Sequence, residues 1–327
     1  MIPFLIRRLL QSIPTILLSS LLIFFVISLA PGDFLTPAKL NPNISQEQLD
    51  LLARNFGLDR PVWEQYFLWI KNIFLRGDFG LSFQYQQPVW DIMWPRVLNS
   101  LWLVLLIIVL FYAMAIPLGV FGAVRQNSAA DKAINVVMYF LLGFPSFFIA
   151  LLALYGILRV RYGTGWDVPI GGMRSPDYDS MTPVNQVFDI AKHLAIPAFI
   201  AAITDVAGLS RYIRALMLDV LRSDYIRTAR AKGVSERVAV WKHTFRNAIL
   251  PIVGGIGGVL PGLIGGAGFI EVVFAYPGMT PMILDALASQ DLYLIAGFTM
   301  ITTILLIVGN IIADILLAVV DPRIKVE

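Results

Sequence analysis

Residues 97–124 read VLNSLWLVLLIIVLFYAMAIPLGVFGAV and contain no charged side chain between Arg96 and Arg125. A helix of about 20 apolar residues is long enough to cross the hydrocarbon core of a bilayer. The whole chain of 327 residues has a matching composition, with 57% hydrophobic and 14% charged residues and a mean hydropathy of +0.74. Because soluble domains average roughly a quarter charged residues, the composition excludes an ordinary soluble protein.

Four other uncharged runs are long enough to span a bilayer. They lie between Arg8 and Asp33, Lys132 and Arg159, Arg246 and Glu271, and Asp291 and Asp314. A sixth run, between Lys192 and Arg211, is interrupted by Asp205 and could continue past Arg211 as an amphipathic helix. The pattern predicts an all-α integral membrane protein with six transmembrane helices. The first run also fits a cleaved signal peptide, but its length and Pro31 favour a retained helix.

The distribution of Lys and Arg predicts the orientation. With six spans both termini lie on one side, and that side holds fifteen basic residues, nine of them in residues 211–247. The other side holds ten, in the long loops 31–96 and 159–192, where acidic residues match or outnumber them. Since cytoplasmic loops carry the excess of Lys and Arg, we expect both termini to be cytoplasmic.

This arrangement predicts three segments: an N-terminus with the first transmembrane helix, a small helical extracytoplasmic cap, and a core with five transmembrane helices, at residues 1–30, 31–96 and 97–327. In the cap, Ser45 and Gln48 form a capping-box pattern before a helix that stops near Gly57. A second cap helix is expected from Pro61 to Leu75, with Gly77 beyond its end.

The second cap helix carries five aromatic residues, Trp63, Tyr66, Phe67, Trp69 and Phe74. These rings either form a docking surface for an external partner or anchor the helix at the membrane–water boundary. Anchoring is the more common role of amphipathic rings at the membrane–water boundary.

The basic loop at about residues 211–247 has an internal pattern of helix caps. A loop lying on anionic lipid would explain its positive charge. It would not explain why Ser223 or Asp224 can cap a short helix, Tyr225 to Lys232, that Gly233 can close in the left-handed conformation. Ser235 then starts a further helix that runs towards Pro251. The pattern indicates a helix–turn–helix to which a partner protein can bind.

The fifth predicted span, between Arg246 and Glu271, is rich in glycine. It has eight glycines from Gly254 to Gly268. Four of them recur at every fourth position: Gly254, Gly258, Gly262 and Gly266. Such a face permits close helix packing or lines a passage. Charged groups in lipid are costly and point to function, so Asp205 either handles a proton or substrate or forms a structural polar pair, while Glu271 near the outer end more often has a structural role.

Several kinds of site are excluded. The chain has no cysteine, and its two histidines, His193 and His243, lie in different regions, which excludes thiolate chemistry, iron–sulfur clusters and His/Cys zinc sites. Neither G-x-x-x-x-G-K-[ST] nor G-x-G-x-x-G occurs, so the chain has no nucleotide-binding loop of its own. A net charge of +3 gives no basis for nucleic-acid binding. We therefore expect no catalytic, cofactor-binding or metal-binding residues.

Segments along almost the whole chain resemble the permease subunits of binding-protein-dependent ABC importers of the peptide/nickel type. The sequence from DYIRTARAKG (224–233) to HTFRNAILP (243–251) is similar to their cytoplasmic EAA loop. Further segments resemble the first of the two permeases in dipeptide and oligopeptide systems: RRLLQSIPTILLSSLLIFFVISLAPGD (7–33), FGLDRPVWEQY (56–66), GDFGLSF (77–83), EVVFAYPGM (271–279) and DPRI (321–324).

This resemblance implies a bacterial or archaeal plasma (inner) membrane protein that pairs with a second, similar permease. Its other implied partners are membrane lipid, an extracytoplasmic substrate-binding protein and two cytoplasmic ATPases, which bind the ATP and Mg. The implied mechanism is alternating access, with di- and oligopeptides as the leading substrate class and nickel chelates, glutathione or sugar-like compounds still open.

The resemblance also implies an ATPase-coupling role for the short helix of the EAA loop and its closing glycine: Asp224, Tyr225, Ile226, Arg227, Thr228, Ala229, Arg230, Ala231, Lys232 and Gly233. The family consensus has Glu-Ala-Ala where this chain has Arg227, Thr228 and Ala229, so no salt bridge of that glutamate transfers here. The candidates for the translocation pathway are Asp205, Gly258, Gly262, Gly266 and Glu271. A self-contained secondary transporter or channel would instead use Asp205 as its coupling site, but the sequence shows no convincing internal repeat.

Overall fold

The computed structural model describes residues 2–29, 35–39, 45–55, 57–166, 168–255 and 268–320. The first half of the chain contains α1 Ile2–Ser28, α2 Thr36–Lys39, α3 Gln46–Asn55, α4 Val62–Arg76, α5 Val89–Val124, α6 Ala129–Leu142 and α7 Ser146–Thr164. The second half contains α8 Pro183–Leu221, α9 Asp224–Ala231, α10 Glu236–Val238, α11 Arg246–Ala248, α12 Gly268–Val273, α13 Met279–Ala288 and α14 Leu292–Val320. A 3₁₀-helix spans Tyr178–Ser180 and a π-helix spans Ala239–Phe245. No β-strand occurs among the described residues.

Within these ranges, five helices are long and apolar enough to cross a membrane: Ile6–Ser28, Val89–Val124, Ser146–Thr164, Pro183–Leu221 and Leu292–Val319. The protein is therefore a multi-pass, all-α membrane protein, as its composition predicts. The predicted fifth span, between Arg246 and Glu271, includes residues 256–267, which lie outside the described residues.

The uncharged run between Lys132 and Arg159 contains a candidate span but is not one continuous helix. The run divides into α6 and α7, with Gly143, Phe144 and Pro145 between them. Proline cannot donate a backbone hydrogen bond and disfavours helical geometry in the residue before it. An uncharged run therefore continues across a helix boundary that Pro145 imposes.

The interrupted run between Lys192 and Arg211 belongs to α8, which has 39 residues. Thr182 caps its beginning, because the Asn185 amide donates to the Thr182 hydroxyl at 3.4 Å. The helix continues past Arg211 to Leu221, as expected, and its last part buries Ile213 and Met217.

The chain forms two compact units. The first comprises residues 1–100 with 278–308, and the second comprises residues 101–277 with 309–326. The predicted cap lies in the first unit, and the predicted helix–turn–helix lies in the second.

In the first unit, both cap helices begin and end within two residues of the predicted positions. Before α3, the Ser45 amide donates to Gln48 Oε1 at 3.0 Å and the Gln48 amide donates to Ser45 Oγ at 3.3 Å, which is a capping box. After α4, Gly77 has a left-handed φ of 65°. Tyr66 and Trp69 of α4 are buried against Phe24 of α1, with ring centroids 5.5 and 5.7 Å from it. These two rings pack in the core, whereas the other three aromatic residues of α4 are exposed: Trp63, Phe67 and Phe74.

A buried aspartate joins the loop before α5 to the beginning of α14. Asp291 Oδ2 accepts hydrogen bonds from the Ser82 hydroxyl at 2.6 Å and the Gln84 amide at 3.0 Å. Its Oδ1 accepts from the Leu294 amide at 3.2 Å, which caps the first turn of α14. A buried charge requires such partners. Asp291 therefore fixes the loop before α5 to the beginning of α14.

In the second unit, Asp131 connects the turn between α5 and α6 to α8. Its side chain is 3% exposed, and its Oδ2 lies 2.9 Å from both Arg214 Nη2 and the Asn127 amide. The Asn135 carboxamide donates to Asp131 Oδ1 at 2.9 Å. Burial by itself would raise the pKa of Asp131, but the hydrogen bonds from Asn127 and Arg214 hold this pKa below its ordinary value.

Helices α5 and α8 approach closely at Gly119. A Cβ atom at this position would lie 2.6 Å from Ile213 Cβ and 2.7 Å from the Ser210 carbonyl oxygen. Only glycine fits there without displacing the α8 backbone. Nearby, Arg214 Nε donates to the Gly122 carbonyl at 3.1 Å, so the same guanidinium contacts both α5 and Asp131.

We expect Asp131→Asn to destabilise the protein, because Arg214 then loses its carboxylate partner in a mostly buried site. The expected cost is about 1–3 kcal/mol, measured as a lower thermal midpoint in detergent. Since the folded pKa lies below the unfolded one, the stabilisation is present above the ordinary pKa of aspartate, about 3.9, and is lost as the pH falls through the folded value. The difference between wild type and variant should therefore shrink in acid. Asp219→Asn, the same change at an exposed position of α8, is the control, and equal midpoints for the two variants would contradict the role of Asp131.

Candidate functional site

The short helix predicted in the basic loop is α9. It begins after Ser223, which occupies the N-cap position, although the Ser223 hydroxyl donates back to the Val220 carbonyl at 2.6 Å. Asp224 lies in the first turn, where a carboxylate favours the positive end of the helix dipole. The Thr228 hydroxyl donates to the Asp224 carbonyl at 2.9 Å. The helix therefore begins within one residue of the predicted position.

The end of α9 is a Schellman motif. The Val234 amide donates to the Ala229 carbonyl at 3.2 Å, and the Gly233 amide donates to the Arg230 carbonyl at 2.9 Å. Gly233 has a φ of 81°, a left-handed conformation that favours glycine. The predicted closing role of Gly233 is confirmed.

Two hydrogen-bonded pairs join α9 to the segment that follows it, and one side chain of the helix is fully buried. Ile226 is the buried residue of the helix, with 0% exposure. The Asn247 carboxamide donates to the Tyr225 hydroxyl at 2.9 Å. Arg230 forms a bidentate ion pair with Glu236, with Nε 3.0 Å from Oε2 and Nη2 2.7 Å from Oε1. The Glu236 pair was not predicted from the sequence.

The segment beneath α9 is the π-helix Ala239–Phe245, which the sequence predicted as part of an ordinary helix. Thr244 is fully buried, and its hydroxyl donates to the Ala239 carbonyl, five residues earlier, at 2.9 Å. Val240 and Ala248 belong to a buried apolar cluster with residues of α5, α6 and α8. π-Helical turns are rare and often occur at functional sites. Here the π-helix connects α9 to the core of the second unit.

The remaining face of α9 is open and basic. Arg227 and Lys232 are exposed, as are Thr228 and Ala231 between them. Arg227 Nη1 lies 3.5 Å from Asp224 Oδ1, and both side chains are largely exposed, so this pair contributes little to stability. The arrangement is a short helix with a fixed inner face and exposed positive charge at Arg227 and Lys232.

The structure gives different surroundings to the described pathway candidates. Asp205 is exposed on α8, although its neighbours Thr204 and Val206 are buried. Glu271 in α12 is buried, with 3% exposure. Gly258, Gly262 and Gly266 lie outside the described residues.

The chain matches known proteins over nearly its full length. Residues 115–326 match the family described as "Binding-protein-dependent transport system inner membrane component", and residues 1–104 match "Binding-prot-dependent transport system membrane comp, N-term". The chain is 39% identical over 326 residues to the oligopeptide transport system permease protein AppB of Bacillus subtilis, covering 99% of this chain and 100% of the relative. It is 32% identical to OppB of Mycobacterium tuberculosis, an oligopeptide permease, and to GsiC of Escherichia coli, a glutathione permease, with 99% of each chain covered.

We expect Ile226→Ala to loosen α9. Removing a buried isoleucine side chain typically costs about 2–5 kcal/mol, and this is the one buried side chain of the helix. Amide hydrogen exchange in residues 224–233 should accelerate, while exchange in α5 should stay unchanged. Thr228→Ala changes an exposed residue of the same helix and serves as the control. Unchanged exchange in Ile226→Ala would show that the polar contacts alone hold α9.

Proposed function

The chain belongs to the family of binding-protein-dependent transport system inner membrane components, and from this premise we propose that it carries short peptides into the cell. It is a permease subunit of an ABC importer and is not itself an enzyme. Relatives named as oligopeptide permeases support a peptide substrate, at 39% and 32% identity. The glutathione permease at 32% identity agrees with this class, because glutathione is a modified tripeptide.

The assembly that we propose contains a second, similar permease, two cytoplasmic ATPases that bind ATP and Mg, and an external substrate-binding protein. We place it in the plasma (inner) membrane of a bacterium or archaeon, with six spans and both termini in the cytoplasm. The excess of Lys and Arg in residues 211–247 supports this orientation. As part of an ABC system, the chain depends on partner subunits for its energy.

Helix α9 is the proposed contact with an ATPase, and the observation that carries this proposal is its combination of an exposed basic face with a fixed inner face. Ile226 and the pairs Arg230–Glu236 and Asn247–Tyr225 hold the inner face. Closure of the two ATPases on ATP would move the two docked helices together and bias the permease pair towards its outward-open state. The residues proposed for coupling are those of α9 with Lys232 and Gly233.

Asp205 is a proposed wall residue of the passage. It lies in a helix long and apolar enough to cross the membrane and is exposed on the surface of this chain. Because a carboxylate facing lipid is costly, its exposed position favours contact with water or with another permease. The same observation favours the one competing function, a secondary transporter in which Asp205 couples transport to an ion. Glu271 and the glycines Gly258, Gly262 and Gly266 remain further candidates for the wall.

We expect Arg227→Glu combined with Lys232→Glu to abolish ATP-driven uptake. The double variant reverses the exposed charge of α9 and leaves Ile226 and the Arg230–Glu236 pair intact. Uptake of a short peptide is measured in proteoliposomes with the complete importer. Lys132→Glu, a charge reversal at an exposed position of α6, is the control. Normal uptake by the double variant would contradict the docking assignment.

A charge swap separates two roles of Arg230. The variant Arg230→Glu should lose uptake, because it replaces the pair with Glu236 by repulsion between two carboxylates next to the turn that closes α9. If Arg230 acts only by holding α9, adding Glu236→Arg should restore uptake. If the positive charge of Arg230 itself meets the ATPase, the swapped variant should remain inactive while α9 keeps its slow amide exchange.

For Asp205→Asn, we expect uptake that still requires ATP and falls by about tenfold or less. The loss of one polar wall group costs about 0.5–1.5 kcal/mol, which corresponds to roughly tenfold at most. The measurement compares uptake with and without ATP and with and without an ion gradient. Gradient-driven uptake by the wild-type chain without ATPases, abolished in Asp205→Asn, would establish the secondary transporter instead.

A further inference from the structure

The first unit contains a polar cavity of about 370 Å³, formed by α4, the loop before it and the beginning of α14. This volume lies near the lower end of the range for sites that bind small molecules. Its lining includes two arginines, one aspartate, two carboxamides and one indole: Arg54, Arg60, Asp78, Gln65, Asn72 and Trp69. None of these residues takes part in the proposed coupling contact or the proposed passage.

The two arginines give the cavity positive charge that is not already neutralised. Arg54 and Arg60 are both exposed, and within the described ranges neither of them forms an ion pair. A guanidinium group donates two parallel hydrogen bonds to a carboxylate and remains charged at all physiological pH values. The cavity therefore suits a ligand with a carboxylate.

The walls of the cavity are fixed before any ligand arrives. The Gln65 carboxamide donates to the Arg60 carbonyl at 2.7 Å, which holds the backbone that carries Arg60. Trp69 is buried, and its indole nitrogen donates to the Phe79 carbonyl at 2.8 Å. A Cβ atom at Gly80 would lie 3.1 Å from the Tyr293 ring, so glycine permits the close contact between these two lining residues. A preformed cavity loses less conformational entropy on binding.

Asp78 adds a negative group to the same cavity. Its Oδ1 accepts the Gly80 amide at 2.8 Å, and a carboxylate retains further acceptor capacity after one such bond. The lining thus offers donors for an anion, an acceptor for a cation, and an indole surface for an apolar side chain. These groups match a short peptide in its zwitterionic form.

We propose that this cavity binds a short zwitterionic peptide, with Arg54 and Arg60 on its terminal carboxylate and Asp78 on its terminal ammonium. The site would retain a peptide at the outer face independently of the external binding protein. This inference rests on the proposed function. The cap faces the outside only in the proposed orientation, and it meets peptides only if the chain is a peptide permease.

The test is equilibrium binding of radiolabelled dialanine to the complete importer in lipid nanodiscs, without the external binding protein. Two unlabelled competitors report on the two charges: dialanine amide lacks the carboxylate, and N-acetyl-dialanine lacks the ammonium. The variants are Arg54→Gln, Arg60→Gln and Asp78→Asn. Arg76→Gln, at an exposed position at the end of α4 outside the cavity lining, is the matched control.

Loss of one charge-assisted contact should weaken dialanine binding roughly tenfold to a hundredfold. Each cavity variant should show this loss, Arg76→Gln should bind as wild type, and both modified peptides should compete poorly. Equal binding by wild type and the three cavity variants would overturn the inference. A second outcome would also overturn the inference. If no dialanine binds and the external binding protein attaches more weakly to Arg54→Gln and Arg60→Gln, the two arginines contact an acidic side chain of that protein instead.

ATP-driven uptake with the binding protein present, measured on the same preparation, keeps the two proposals distinguishable. If uptake occurs and the cavity variants bind dialanine normally, only the cavity inference fails. If no uptake occurs in the wild type, the proposed function fails.

Discussion

The ion pair between Asp131 and Arg214 is the contact on which the arrangement of α5, α6 and α8 depends. A carboxylate with so little exposure is tolerated only when its oxygens are hydrogen-bonded and its charge is paired. Asp131 meets both conditions through Arg214, Asn127 and Asn135. Because Arg214 also donates to the Gly122 carbonyl, the same guanidinium fixes the position of α8 relative to two other helices.

The position of α8 in turn determines where α9 lies. Only Arg222 and Ser223 separate the end of α8 from the beginning of α9, so the two helices cannot be positioned independently. The π-helix beneath α9 joins the same apolar cluster as Ile213 and Met217 of α8. Helix α9 is therefore supported from two directions, through its covalent connection to α8 and through its hydrogen bonds with Glu236 and Asn247 on either side of the π-helix.

The sequence predicted those features that depend on residues close together in the chain. The capping box at Ser45 and Gln48 and the left-handed glycines Gly77 and Gly233 involve residues no more than a few positions apart, and their types are specific. The membrane class followed from apolar runs, but run length does not report where a helix ends, and the break before Pro145 was missed although proline is itself a visible signal.

The contacts that hold the candidate site were less accessible to sequence reasoning. Arg230 and Glu236 meet across the turn at Gly233, and Tyr225 and Asn247 are 22 positions apart. Such pairs depend on the angle between two helices, which no local pattern encodes. Asp205 was recognised as a charge in an apolar run, but its exposure depends on how α8 packs against its neighbours.

The energetics of α9 explain why its support matters for the proposed ATPase coupling. A helix of eight residues is too short to be stable alone in water, because nucleation costs more than so few hydrogen bonds return. Its exposed ion pairs each contribute about 0–1 kcal/mol, so the burial of Ile226 supplies most of the free energy that keeps it folded on the core. A partner that pulls on the basic face can move α8 only while α9 remains folded, since local unfolding would absorb the displacement. In the proposed coupling contact, the basic face is therefore the place where the ATPase would act, and the burial of Ile226 is what would pass the movement on to α8.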